Sequence, residues 1–175
     1  MNRIVKGVLA GAAAAAALAA GSVAQAAERA TFSGSFTVAL RAQAAQAQHL
    51  FDPVGEAIWA PGWAPAFVRE TDRTQLPDGT VFTTPGHGGS TMTWVLQRYD
   101  RAAHAIAYTV FAPAGAVVTI RIGLRDGASG GSTADVRYDL VATTEEGDAY
   151  VRDFAAQFAH YGPHWQSAID AATAR

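Results

Sequence analysis

Cysteine is absent from this chain of 175 residues, and lysine occurs once, at Lys6. Without cysteine there are no disulfide staples, no thiolate nucleophile and no thiolate metal ligand. Without lysine beyond the sixth residue, the body of the chain cannot form a Schiff base. Charge is sparse too. The 13 lysines and arginines stand against 15 aspartates and glutamates, with no basic stripe to follow phosphates, so nucleic acid is not an expected partner. No G-x-S-x-G elbow occurs, which leaves serine hydrolase chemistry without its usual setting. The run Pro85-Gly86-His87-Gly88-Gly89-Ser90 is rich in glycine but lacks the lysine of a P-loop. It lies between strand patterns, so it reads as a hairpin tip at a pocket mouth.

What is present begins with a leader. Asn2, Arg3 and Lys6 make a short basic head, Val8 to Ala20 is an unbroken apolar or small-residue run, and Ala24-Gln25-Ala26 has the small-x-small pattern of a signal-peptidase site. The apolar run is shorter than the ~20 residues a bilayer requires and is mostly alanine. The expectation is a signal peptide over 1–26 and a periplasmic or secreted protein with no integral membrane span after cleavage; a retained anchor is the alternative. Cleavage removes Arg3 and Lys6 from the 13 basic residues and leaves 11, all arginine. Residues 27–175 then suit one domain, long enough to bury ~70% of its unfolded surface without staples.

The domain reads as a strand, a short helical insert, a run of hairpins and one long final helix. Phe32, Gly34, Phe36, Val38 and Leu40 alternate with polar or small residues, the two-residue period of a half-buried strand. Ala42 to Phe51 changes period, with alanine and glutamine predominating, and predicts a short helix. Weaker edge strands are expected near Ala66 to Glu70 and Thr80 to Thr84, with Pro77-Asp78-Gly79 as a turn between them. Alternation then returns in three further sets: Met92, Trp94, Leu96; His104, Ile106, Tyr108, Val110; and Val118, Ile120, Ile122, Leu124. A last strand sets Ala134, Val136, Tyr138 and Leu140 against Thr133, Asp135, Arg137 and Asp139, where Arg121 and Arg137 can pair with carboxylates on a solvated face. From Thr144 the period becomes helical. Glu145-Glu146 supply acid in the first turn, Val151, Phe154, Phe158, Tyr161, Trp165 and Ile169 form one apolar stripe, and Gly162-Pro163 predicts a kink near His160.

The segment Leu50 to Trp63, LFDPVGEAIWAPGW, is too broken by proline and glycine to be a long helix. Asp52 can cap a short turn that starts at Pro53, and Pro61-Gly62 ends it. This segment, VRYDL at 136 to 140 and the aromatic terminal helix resemble a bacterial branch of the START and birch-pollen-allergen superfamily, often labelled SRPBCC, which also contains polyketide cyclase and dehydrase-like proteins. The resemblance spans Thr31 to Thr173. It implies an α+β helix-grip fold: a curved antiparallel sheet around one long C-terminal helix, with two short helices after the first strand. It also implies an apolar or aromatic ligand enclosed between sheet and helix, with catalysis in some members only.

Candidate chemistry follows from these faces. Trp59, Trp63, Trp94, Tyr108, Tyr138, Phe158 and Trp165 combine large rings with polar tips and are the expected ligand-binding residues, a filled core being the plainer alternative for some of them. Asp52 and Glu56, four apart, could share a helix face as acid and base, or serve as a cap and a loop-fixing hydrogen bond. Glu56 and His104 are the candidate proton-transfer residues. His160 and His164 have a metal-like spacing, but the proline between them disturbs it and no third ligand is evident, so no metal is expected. Three functions stay open: cofactor-free binding or transport of a small hydrophobic or aromatic molecule or lipid, a polyketide cyclase or dehydratase-like enzyme, and an envelope partner-binding protein with a filled core.

Overall fold

Alternation along the hairpins builds a single seven-stranded antiparallel sheet. The computed structural model describes residues 28–86, 89–128 and 130–174; the leader lies outside them, as do His87 and Gly88 of the glycine-rich run. The strands are β1 (Thr31–Leu40), β2 (Ala66–Phe67), β3 (Thr80–Pro85), β4 (Thr91–Asp100), β5 (Ala105–Ala112), β6 (Ala116–Asp126) and β7 (Ser132–Ala142). Their order is β1-β7-β6-β5-β4-β3-β2, so the chain's first strand closes one edge beside its last. Each inward row is apolar: Ile120 on β6 faces Tyr108 on one side and Tyr138 on the other, and Ile122 lies between Ile106 and Val136. These residues are almost wholly buried, and each large aliphatic side chain so buried contributes ~1.5–3 kcal/mol.

One end of that face is covered by the C-terminal helix, 29 residues in all, made of α2 (Glu145–Gln157), a 3₁₀ turn at Phe158–His160 and α3 (Tyr161–Thr173). Thr144 caps it through a hydrogen bond from the Gly147 amide, 3.0 Å. The interruption falls where Gly162-Pro163 predicts it: proline has no N–H to give the preceding turn, and the helix tightens there. Residues between β1 and β2 cover the other end. They form α1 (Ala44–Ala47) and two 3₁₀ turns, Gln48–Phe51 and Gly55–Ile58, so the second short helix is a single tight turn.

Two expectations change, for the strand near residues 66–70 and for His104, and the sheet carries one irregularity. The strand near residues 66–70 is only Ala66–Phe67, because after Val68, whose amide still donates to the Val81 carbonyl, the chain leaves the sheet for a loop that buries Leu76. A bulge in β4 between Leu96 and Arg98 shifts the register against β5, which returns Tyr99 opposite Ile106. His104 is not on the β5 face with Ile106 and Tyr108. It has a positive φ of 49° in the β4–β5 turn, where its carbonyl accepts a hydrogen bond from Leu124.

Candidate ligand-binding site

The site is organised by one carboxylate. Asp52 is 2% exposed and accepts hydrogen bonds at Oδ1 from the amides of Val54 and Gly55, 2.8 and 2.7 Å. At Oδ2 it accepts from the Tyr99 hydroxyl, 3.2 Å, and lies 2.7 Å from His49 Nδ1. This folds the chain so tightly that a Cβ on Gly55 would stand 1.7 Å from the His49 carbonyl oxygen, so only glycine fits. The next residue is Glu56, thereby turned inward beneath the sheet. Trp59 and Trp63 follow, each tied back to this segment through its indole N–H, to the Leu50 and Pro53 carbonyls at 2.6 and 2.8 Å.

Between this segment, the sheet and α3 lies a chamber of about 220 Å³. Its walls are the rings of Trp59, Trp63, Trp94, Tyr108, Tyr138 and Trp165, with Ile120 and Ile122 on the sheet. Glu56 supplies its carboxyl and His164 its imidazole. It adjoins a wider cleft of about 680 Å³, shared at Ala60, Pro61, Trp63 and Trp94 and bounded by Met92, Tyr150, Asp153, Phe154, Gln157 and Tyr161. Pro85, Gly86 and Ser90 line that outer cleft, which puts the ends of the glycine-rich run at the mouth.

Several polar tips on the chamber wall are already satisfied, those of Trp59 and Trp63 included. Trp94 donates to the Thr84 hydroxyl at 2.9 Å, and Tyr108 to the Phe51 carbonyl at 2.8 Å. Glu56, Tyr138 and Trp165 differ: among the described residues none of these side chains has a hydrogen-bond partner, whereas the one fully buried polar side-chain atom left unpaired, His104 Nδ1, lies away from the chamber. Burial raises the Glu56 carboxyl well above its ordinary range, and the neighbouring Asp52 charge raises it further, which favours the protonated acid. The Tyr138 and Tyr108 hydroxyls are likewise raised by burial and then by Glu56, so both stay protonated donors. The arrangement offers an apolar slot with an unspent carboxylic acid and an unspent phenol.

Of the seven aromatic residues expected to contact a ligand, six line the chamber. Phe158 does not; its ring packs 4.9 Å from Phe32 on β1 and 5.9 Å from Tyr138 on β7. Glu56 is on the chamber wall, whereas His104 is not among the residues that line either space. Asp52 takes the capping role, and the loop-fixing bond expected of Glu56 is absent among the described residues. His164 was legible only as half of a metal spacing, and among the described residues no three histidine, aspartate or glutamate side chains gather as a metal site. Asp153 and Gln157 also escaped the sequence reading, since on a helix they look like its solvated face; the nearby Tyr150 and Tyr161 were the available signal.

A curved antiparallel sheet that grips a C-terminal helix around an internal cavity defines the helix-grip class, and this chain has that fold. Among solved structures it is similar to Ara h 8.0201, with TM-score 0.57 and 16% identity over 83% of this chain and 100% of that one. It is similar to truncated norcoclaurine synthase from Thalictrum flavum, with TM-score 0.60 and 12% identity over 85% and 97%. A third is ginseng major latex-like protein 151 from Panax ginseng, with TM-score 0.58 and 10% identity over 81% and 96%. One norcoclaurine synthase structure, at TM-score 0.57, 10% identity and coverage of 94% and 95%, is a complex with dopamine and hydroxybenzaldehyde. At these identities the likeness is one of fold. No family model matches the sequence, and no curated protein matches it.

Proposed function

We propose that this protein binds a small hydrophobic or aromatic molecule between the sheet and the C-terminal helix, one ring in the inner chamber and an oxygen acceptor directed at Glu56. The observation that carries this reading is the Glu56 carboxyl, buried at the end of an aromatic chamber with no hydrogen bond to the described protein. Its hydrogen-bonding capacity is spent on no described residue, which leaves it for a ligand oxygen. The volume agrees: a cavity of ~150 Å³ holds benzene, so about 220 Å³ suits one substituted ring, with the outer cleft left for the rest of the molecule. That a protein of the same fold is known with two aromatic compounds bound adds support. The chamber weighs against a filled core. The leader supports a periplasmic or secreted setting, which the mass of the mature chain from its own host tests.

The test compares acetophenone with ethylbenzene, of similar shape but without the acceptor, by calorimetry and thermal shift. Acetophenone is expected to bind more tightly. Glu56→Gln, still a donor, keeps that preference, and Glu56→Leu loses it by about tenfold, ~1.4 kcal/mol. Absence of any aromatic-induced rise in Tm overturns the proposal.

A second reading, a cyclase or dehydratase-like enzyme, is favoured by one observation: His164 opens on the same chamber as Glu56 and Tyr138. In that case Glu56→Gln abolishes turnover while binding and Tm stay nearly unchanged.

A further inference from the structure

The Asp52 loop has a second face, turned away from the aromatic chamber. There a separate surface cleft of about 580 Å³ is lined by His49, Asp52, Arg73, Thr74, Tyr99 and Arg101, among others. Its wall carries two arginines and one acid. Arg29, Arg98, Arg121, Arg125 and Arg137 have carboxylate partners; Arg73 and Arg101, like Arg41, Arg69 and Arg152, have none among the described residues, and only these two share a cleft wall. Asp52 is the one acid on the cleft wall, and its oxygens are occupied by four hydrogen-bond partners. Asp72, next to Arg73 in sequence, is spent on the amide and hydroxyl of Thr74 at 2.8 and 2.7 Å.

One of the two guanidiniums is held in place before any ligand arrives. Arg101 donates to the carbonyls of Thr74 and Gln75, 2.8 and 3.4 Å, and its Cζ stands 4.6 Å from the Tyr99 ring centroid. A guanidinium has five N–H donors in a fixed plane, so those two bonds leave about three for a ligand. Arg73 lies against the Phe67 ring at 5.2 Å and spends no N–H on the described protein. Two arginines on one concave wall, one of them pre-set, match the forked recognition of phosphate oxygens.

We propose that this cleft is an anion-binding site, separate from the aromatic chamber, that recognises a phosphate group through Arg73 and Arg101. The cleft is much larger than a phosphate ion, so the phosphate belongs to a larger molecule, either a soluble phosphate monoester or a lipid headgroup.

The test is an NMR titration of the ¹⁵N-labelled protein with inorganic phosphate, chloride being removed to hold ionic strength constant. Saturable shifts of the Thr74 and Tyr99 amide signals are expected, and Arg73→Met is expected to weaken them at least fivefold. Arg73 is exposed and makes no hydrogen bond to the described residues, so this variant keeps its fold, which an unchanged Tm verifies. Shifts that chloride reproduces, or that survive Arg73→Met undiminished, overturn the proposal. Two further arms distinguish the source. Tighter binding of glycerol 3-phosphate than of inorganic phosphate supports a soluble ester. Arg73-dependent sedimentation with phosphatidylglycerol vesicles, and not with phosphatidylcholine vesicles, supports a headgroup.

Discussion

Asp52 and Glu56 are four residues apart on one folded segment and have opposite fates: the Asp52 carboxylate has four hydrogen-bond partners, and the Glu56 carboxyl has none among the described residues. The first makes the second possible. By fixing the amides of Val54 and Gly55, Asp52 orients the turn that points Glu56 inward, and its charge helps keep Glu56 protonated.

Asp52→Ala therefore leaves buried donors unpaired and is expected to destabilise the protein by about 3 kcal/mol in urea denaturation. The milder Asp52→Asn keeps most of the shape and removes the charge. In that variant the carboxyl carbon of Glu56, followed by ¹³C NMR, is expected to titrate at lower pH than in the parent; an unchanged titration would separate the two residues electrostatically.

Glu56 gives stability an unusual pH dependence. Its native value is raised above the ordinary 4.5, so the native state holds this proton more tightly than the unfolded chain does. Stability changes with pH as protons bound in the unfolded state minus those bound in the native state, so this group's contribution falls as pH rises from about 4.5 toward the raised value. Urea melts of Glu56→Gln across pH 4 to 7 are expected to gain on the parent by up to ~1.4 kcal/mol per pH unit in that window. A difference that does not vary with pH would mean that the carboxyl is solvated.

Asp139 has the contrary sign. Hydrogen bonds from Arg137 and Ser33 hold its carboxylate at about 2, below the ordinary 3.8. Its stabilisation is present above 3.8 and is lost as pH falls toward about 2. Because its side chain is 30% exposed on the outer face, Asp139→Asn is expected to cost under ~1 kcal/mol at neutral pH, and less in high salt. A larger loss that salt leaves intact would contradict this.

Phe158 is a packing residue, and its partner is a glycine. A Cβ on Gly34 would meet the Phe158 ring at 2.5 Å. Phe158→Ala is expected to cost about 3 kcal/mol through the void it leaves, and Gly34→Ala to destabilise by forcing the ring aside. Combined, they should cost less than their sum, since the methyl enters space the ring has vacated. Strict additivity would mean that the two do not touch.

The fold was legible in the chain because it rests on periodicities. Two-residue alternation through residues 105–142 and the three-to-four spacing from Val151 to Ile169 each define one apolar face, and a sheet and a long helix with one such face apiece must be laid together. The expected kink near His160 and the cap at Thr144 were equally local, because a proline and a capping hydroxyl act within one turn. The aromatic wall was readable as a set of rings on inward faces. Which rings bound a space and which fill it was not, since that depends on how far sheet and helix stand apart: Trp165 opens on the chamber, and Phe158, two turns earlier on the same stripe, is pressed onto Gly34. The roles of Glu56 and His104 were likewise a tertiary matter. Their spacings in sequence are compatible with capping, catalysis or neither; a tight loop around Asp52 sent the one into the cavity, and a positive-φ turn kept the other out of the β5 face.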